Sequence, residues 1–204
     1  MQSPRTHTKA RAKLNRVFCL FLFWSALASA ENQWAWMVEP SFMDYKVRLP
    51  VAGSERTILA LVRLRDKEIS GVEGGHERTL AMAMKVIGPE AQRTAQEVFA
   101  SLEPKFVRDK NGVIQYAVLE SENPLTASAV LAPEFAERFA STLGPDLLVA
   151  MPNRFQILVF SRQDQAFQLM GESIISGYLG SNYPVSREIF ALEKGRLHSV
   201  GVLK

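Results

Sequence analysis

Residues 147–151 (Leu-Leu-Val-Ala-Met) and 155–160 (Phe-Gln-Ile-Leu-Val-Phe) are apolar at almost every position and are separated only by Pro152, Asn153 and Arg154. Successive side chains of a strand point to opposite faces, so a run that is apolar on both faces needs a covering layer on each side. The pattern therefore predicts two adjacent central strands, with helices or a second layer above and below. Between them, Pro152 sets a turn and Asn153 tolerates a left-handed backbone. Arg154 is then expected to project, exposed, from the end of a rigid hairpin, where a guanidinium suits an anion or carboxylate. Asn153 and Arg154 are thus the candidate contacts for a ligand or partner; the alternative is that both are ordinary turn residues.

Around that pair the chain reads as hairpins interleaved with helices. Trp34 to Val38 form an apolar segment expected to pack against a sheet. Residues 43–49 and 57–65 are rich in β-branched and aliphatic side chains and flank a loop at 50–54, which predicts a hairpin. A second is predicted from Phe106-Val107, the turn at 109–112 and the strand 113–119, and a third from 189–192 and 197–202 around Gly195. Residues 80–86, Leu-Ala-Met-Ala-Met-Lys-Val, alternate large and small with period two, which predicts a strand whose methionines share a core face. Helices are predicted after Pro89, with Ala91, Ala95, Val98, Phe99 and Leu102 on one face, and after Pro133, with Phe135, Phe139 and Leu143 four apart. A third runs from about Asp164 to Leu179, marked by Phe167, Met170, Ile174, Tyr178 and Leu179. The expected fold class is α+β: a mostly antiparallel sheet built from hairpins with about three packed helices, forming one domain over residues 31–204.

The first thirty residues stand apart from that domain. Arg5, Lys9, Arg11, Lys13 and Arg16 occur with no acid, residues 17–27 are apolar, and Ala28-Ser29-Ala30 follows. The apolar stretch is shorter than the roughly 20 residues needed to span a bilayer, and small-x-small closes it. This is the pattern of a secretory signal peptide cleaved between Ala30 and Glu31. Cys19 lies near the start of the apolar stretch, where a lipidated cysteine would follow it. Cleavage lowers the 24 Lys and Arg by those five to 19 against 21 acids, a net charge near −2, so the basic balance belongs to the leader. The polyanion reading goes with it, and nucleic acid is not an expected partner. The mature chain would have no membrane span. The periplasm is the expected destination, with secretion the alternative.

The same cut removes the one cysteine and leaves His76 and His198. A disulfide, a thiolate nucleophile and a Cys-ligated zinc are thereby excluded from the mature chain. No phosphate loop, His-Glu-x-x-His or Gly-x-Ser-x-Gly is present. The loop at 71–77 gathers Glu73, His76 and Glu77, but a zinc site needs three or four ligands, so a solvated connector is the favoured reading. Ser173 falls mid-helix rather than on the sharp strand-to-helix turn a nucleophile requires. No cofactor or metal is expected.

Thr126-Ala127-Ser128-Ala129-Val130-Leu131, the 147–160 stretch with its Pro152-Asn153-Arg154 corner, Tyr183-Pro184-Val185-Ser186 and Glu193-Lys194-Gly195-Arg196-Leu197 occur in an order and spacing that resemble the YtpQ-like family of bacterial proteins. The resemblance covers about residues 126–202; Phe155 stands where the family often carries an acid. It implies an α+β fold of unassigned activity and hands over no catalytic residue. The leading expectation is an exported, non-catalytic binding or interaction domain whose partner is a protein or small molecule. The alternative is a small cell-envelope hydrolase whose site is assembled only by the fold.

Overall fold

Two antiparallel sheets organise the chain in a computed structural model that describes residues 33–65, 68–72, 81, 84–163, 170–193 and 195–204. The smaller sheet has four strands: β1 (Gln33–Pro40), β2 (Arg48–Pro50), β3 (Thr57–Arg65) and β4 (Glu68–Gly71). β1 pairs with β3 along its whole length, and β2 and β4 pair with β3 at successive positions. The larger sheet takes β5 (Lys105–Arg108), β6 (Ile114–Glu120), β7 (Leu147–Asn153), β8 (Gln156–Ser161), β9 (Glu188–Glu193) and β10 (Arg196–Val202) in the spatial order β10-β9-β7-β8-β6-β5. Helices α1 (Gly88–Ser101), α2 (Phe135–Leu143) and α3 (Gly171–Leu179), with a 3-10 segment at Thr126–Leu131, complete the described elements. The fold class is α+β.

β7 and β8 occupy the middle of the larger sheet, and their two faces enter different cores. Leu147, Val149, Met151, Ile157 and Val159 pack with β1, β3, the 3-10 segment and the Phe99, Phe135 and Phe139 rings of α1 and α2. The alternate residues Leu148, Ala150, Leu158 and Phe160 pack with Ile174 of α3 and with Ile189 and Ala191. This is the two-sided burial that continuous apolar runs require. The connecting turn lies one step further along than the sequence suggests. Pro152 and Asn153 belong to β7, Asn153 is paired with Gln156 across a register shift, and the turn residues are Arg154 and Phe155.

The three expected hairpins form as β2–β3, β5–β6 and β9–β10, with the strand expected over 43–49 confined to Arg48–Pro50. Asp109 Oδ1 accepts from the backbone N–H groups of Asn111 and Val113 and so closes the second turn, while Gly112 and Gly195 adopt φ of +82° and +73°. α1 begins at the Gly88-Pro89 step and buries Ala91, Thr94, Ala95, Val98 and Phe99. Two expectations are corrected. Ala81 and residues 84–86 are helical, not a strand, and Met84 is 43% exposed rather than core. Ala, Met and Lys are strong helix formers, and at these positions that preference outweighs a period-two alternation; Leu80, Met82 and Ala83 lie outside the described residues. Leu179 is 71% exposed, and over Gly171–Leu179 the buried residue is Ile174; Asp164 and Phe167 lie outside the described residues. Among the described residues no helix is long and apolar enough to cross a membrane.

Candidate functional site

The two sheets are joined by two buried carboxylates. Glu39 lies on β1 in register with Ala35 and Met37, so strand alternation turns it towards the core, where its side chain is 1% exposed. A buried acid needs a cation or several donors, and the cation comes from the β7–β8 turn. Arg154 Nε donates to Glu39 Oε1 at 2.7 Å and Nη2 to Oε2 at 2.9 Å, a two-pronged pair, with Tyr45 Oη 3.4 Å from Nη2. The Tyr183 ring covers the guanidinium at 5.2 Å, and the Arg154 backbone is bonded on both sides, N–H to Tyr183 O and carbonyl from Ala127 N–H. Burial pushes the Glu39 carboxyl above its ordinary value, with the bonds and charge of Arg154 pulling the other way. Burial works against the Arg154 charge as well, but Glu39 outweighs it and the guanidinium is held above its usual range. Burial next to Glu39 also raises the Tyr45 phenol.

Arg154 is therefore not the exposed arginine that the turn chemistry predicts: its side chain is 13% exposed and paired through two bonds with Glu39. Asn153 turns its amide back into the fold, Nδ2 donating to Gly177 O at 3.2 Å and Oδ1 accepting from Phe155 N at 2.9 Å. It also borders a shallow polar groove of about 580 Å³ with Glu120, Glu122, Phe155 and Gln156.

The second carboxylate, Glu188 at the start of β9, is 4% exposed. Ser54 Oγ and Thr57 Oγ1 donate to its Oε2 at 2.6 Å each, and Ser199 Oγ to Oε1 at 3.1 Å; Ser186 Oγ stands 2.8 Å from Thr57 Oγ1. Ser54 and Thr57 flank the start of β3, so this cluster too ties the smaller sheet to the larger. Gly53 is part of the same seam. It has φ +72°, and a Cβ there would come within 2.7 Å of the Ser199 carbonyl oxygen.

Beside these cross-links lies a partly enclosed cleft of about 220 Å³. Pro40, Ser41 and Phe42 reach it from the end of β1, Arg56 from the residue before β3, and Val185, Ser186 and Arg187 from the segment leading into β9. Tyr178 of α3 closes it, with the Arg187 guanidinium 5.7 Å from its ring centroid. Among the described residues neither Arg56 nor Arg187 forms an ion pair, and no carboxylate lines the cleft. A third concavity, about 390 Å³ and apolar, runs between Trp36, Leu49, Leu59 and Leu131 beside the first turn of α1.

His198 sits half-buried on β10 opposite Ala191, next to Gly53, and Ser173 is exposed within α3. Ala30, Glu31, Glu73, His76 and Glu77 lie outside the described residues. Among the described residues no three His, Cys, Asp or Glu side chains gather as a metal site would need. The residues sequence reasoning missed are Glu39, Glu188, Arg56 and Arg187. Glu39 carried a signal, an acid at the same strand parity as Ala35 and Met37; Arg56 and Arg187 look in sequence like ordinary loop cations.

Fold and site together define an α+β protein of two antiparallel sheets, cross-linked by two sequestered carboxylates and carrying an arginine-lined cleft at their seam. Comparison with protein-family models, curated proteins and solved structures finds no match for this chain.

Proposed function

We propose that the chain is an exported bacterial protein, released by cleavage between Ala30 and Glu31, whose residues 31–204 act as a non-catalytic binding domain of the cell envelope, in the periplasm. The observation that carries the reading against the hydrolase alternative is the commitment of both buried carboxylates. Glu39 is held by Arg154, and Glu188 is surrounded by the hydroxyls of Ser54, Thr57 and Ser199. A general acid or base has to reach a substrate proton directly or through one water, and these two acids instead bridge the sheets. The seam cleft and the concavity beside α1 are supplied by arginine, tyrosine and apolar groups, which suits binding. Kinship with the YtpQ-like family over about residues 126–202 belongs to the same proposal and rests on the motif order alone.

The test uses the purified mature chain with ester, glycoside and peptide substrates, alongside capture of ligands from the native envelope. Retention of a ligand without turnover is expected. Sustained turnover that disappears in a folded Glu188→Gln or Glu39→Gln variant would overturn the binding reading in favour of the hydrolase.

A further inference from the structure

We infer that the seam cleft binds a small amphiphilic anion, a phosphate or carboxylate attached to an apolar group, with Arg56 and Arg187 as its charge partners. The inference rests on the binding-domain reading and names that domain's site and ligand class.

Three features of the cleft carry it. First, Arg56 and Arg187 immediately precede β3 and β9, strands of the two different sheets, and both line one concavity, and among the described residues neither forms an ion pair. Most exposed acids and bases on such a surface are interspersed, so two guanidinia with no carboxylate in the shared lining make a locally positive concavity, which raises the local concentration of anions. Guanidinium forks match phosphate and carboxylate oxygens and are less strongly hydrated than ammonium groups. Second, the acids next to the cleft in sequence, Glu39, Glu55 and Glu188, lie outside its lining. Glu39 precedes Pro40 and is paired with Arg154, while Glu188 follows Arg187 and receives the hydroxyls of Ser54, Thr57 and Ser199. Third, the rest of the lining is apolar or aromatic: Pro40, Phe42, Val185 and Tyr178. Phe42 is 72% exposed, leaving an apolar surface at the cleft for the non-ionic part of the ligand.

Size narrows the class. A cavity of about 220 Å³ matches roughly seven waters at about 30 Å³ each, room for one oxoanion and a short apolar group. The backbone that carries the two arginines is held by the two bridges between the sheets, which lie immediately beside it in sequence, and this lowers part of the ordering cost of binding.

The experiment titrates the mature protein with phenyl phosphate, benzoate, inorganic phosphate and the neutral control benzyl alcohol by calorimetry or ligand-observed NMR. Sedimentation with phosphatidylglycerol and with phosphatidylcholine vesicles runs in parallel. Phenyl phosphate or benzoate is expected to bind at least ten-fold tighter than benzyl alcohol, with affinity falling as salt rises. Arg56→Ala and Arg187→Ala should each weaken that binding at least ten-fold with an unchanged unfolding midpoint, since neither side chain is bonded into the core. Arg187→Lys should recover only part of it. Arginine-dependent binding to phosphatidylglycerol vesicles without binding of the free anions would support the site with a lipid headgroup as its source. Equal affinity for phenyl phosphate and benzyl alcohol, or anion binding that survives both alanine substitutions, would overturn the inference. The broader reading would stand if another ligand were still retained, and it falls separately on turnover.

Discussion

Replacing Arg154 with alanine should be one of the most destabilising single changes in the protein. The guanidinium makes two charge-assisted bonds to a carboxylate that is 1% exposed, from a side chain that is itself 13% exposed. Removing one partner of a buried pair leaves the other charge uncompensated and costs about 3–5 kcal/mol. With a urea m-value of about 2 kcal/mol/M, the low end of that range lowers the denaturation midpoint by about 1.5 M. The loss should also depend on pH. Arg154 is what pulls the Glu39 carboxyl down against the burial that raises it, so without Arg154 the folded-state value rises further. A carboxyl with a raised folded value contributes stability that is present below its unfolded value, 4.5, and lost as pH rises through the folded one. The gap between wild type and Arg154→Ala should therefore be small near pH 4 and widen towards pH 8. Glu39→Gln combined with Arg154→Met should be less damaging than Arg154→Ala alone, because no charge is then left stranded. A loss under about 1 kcal/mol at neutral pH, or one that does not change with pH, would show that the Glu39 charge is not held by Arg154.

Three further outcomes follow from the packing. Val149 and Ile157 are fully buried on one face of the central pair, so Val149→Ala should cost about 2 kcal/mol and Ile157→Ala about 2–4 kcal/mol in chemical denaturation. Gly53→Ala should destabilise by more than the roughly 1 kcal/mol of a left-handed alanine, because its Cβ meets the Ser199 carbonyl at 2.7 Å; an unchanged midpoint would show that the loop shifts freely. Glu188→Ala leaves Ser54, Thr57 and Ser199 without their shared acceptor, with an expected loss of about 1–3 kcal/mol and faster amide exchange at the start of β3.

What was legible in the sequence is the part written in local periodicity. The runs at 147–151 and 156–160 are apolar on both faces and form two-sided strands, and Gly88-Pro89 with Ala91, Ala95, Val98 and Phe99 at helical spacing placed α1 to within a residue of its start. Local pattern was least informative where two readings share it: residues 80–86 alternate like a strand and are also helix formers, and at Ala81 and residues 84–86 propensity decided. The site was harder still. An arginine on a turn looks free until the fold brings up a glutamate 115 residues earlier in the chain, and nothing near Arg154 in sequence announces Glu39. The same holds for Arg56 and Arg187, which are 131 residues apart by their numbering and meet only because β3 and β9 lie along one seam. Pairings of that range are decided by tertiary packing, not by the neighbours of either residue.

The most direct test of the account is native mass spectrometry of the protein recovered, without denaturation, from the envelope of the cells that make it. The polypeptide mass should begin at Glu31 and carry a non-covalent acidic adduct of low mass that is absent from the Arg56→Ala and Arg187→Ala proteins. A polypeptide retaining Met1 to Ala30, or a mature protein whose adduct is unaffected by loss of both arginines, would contradict it.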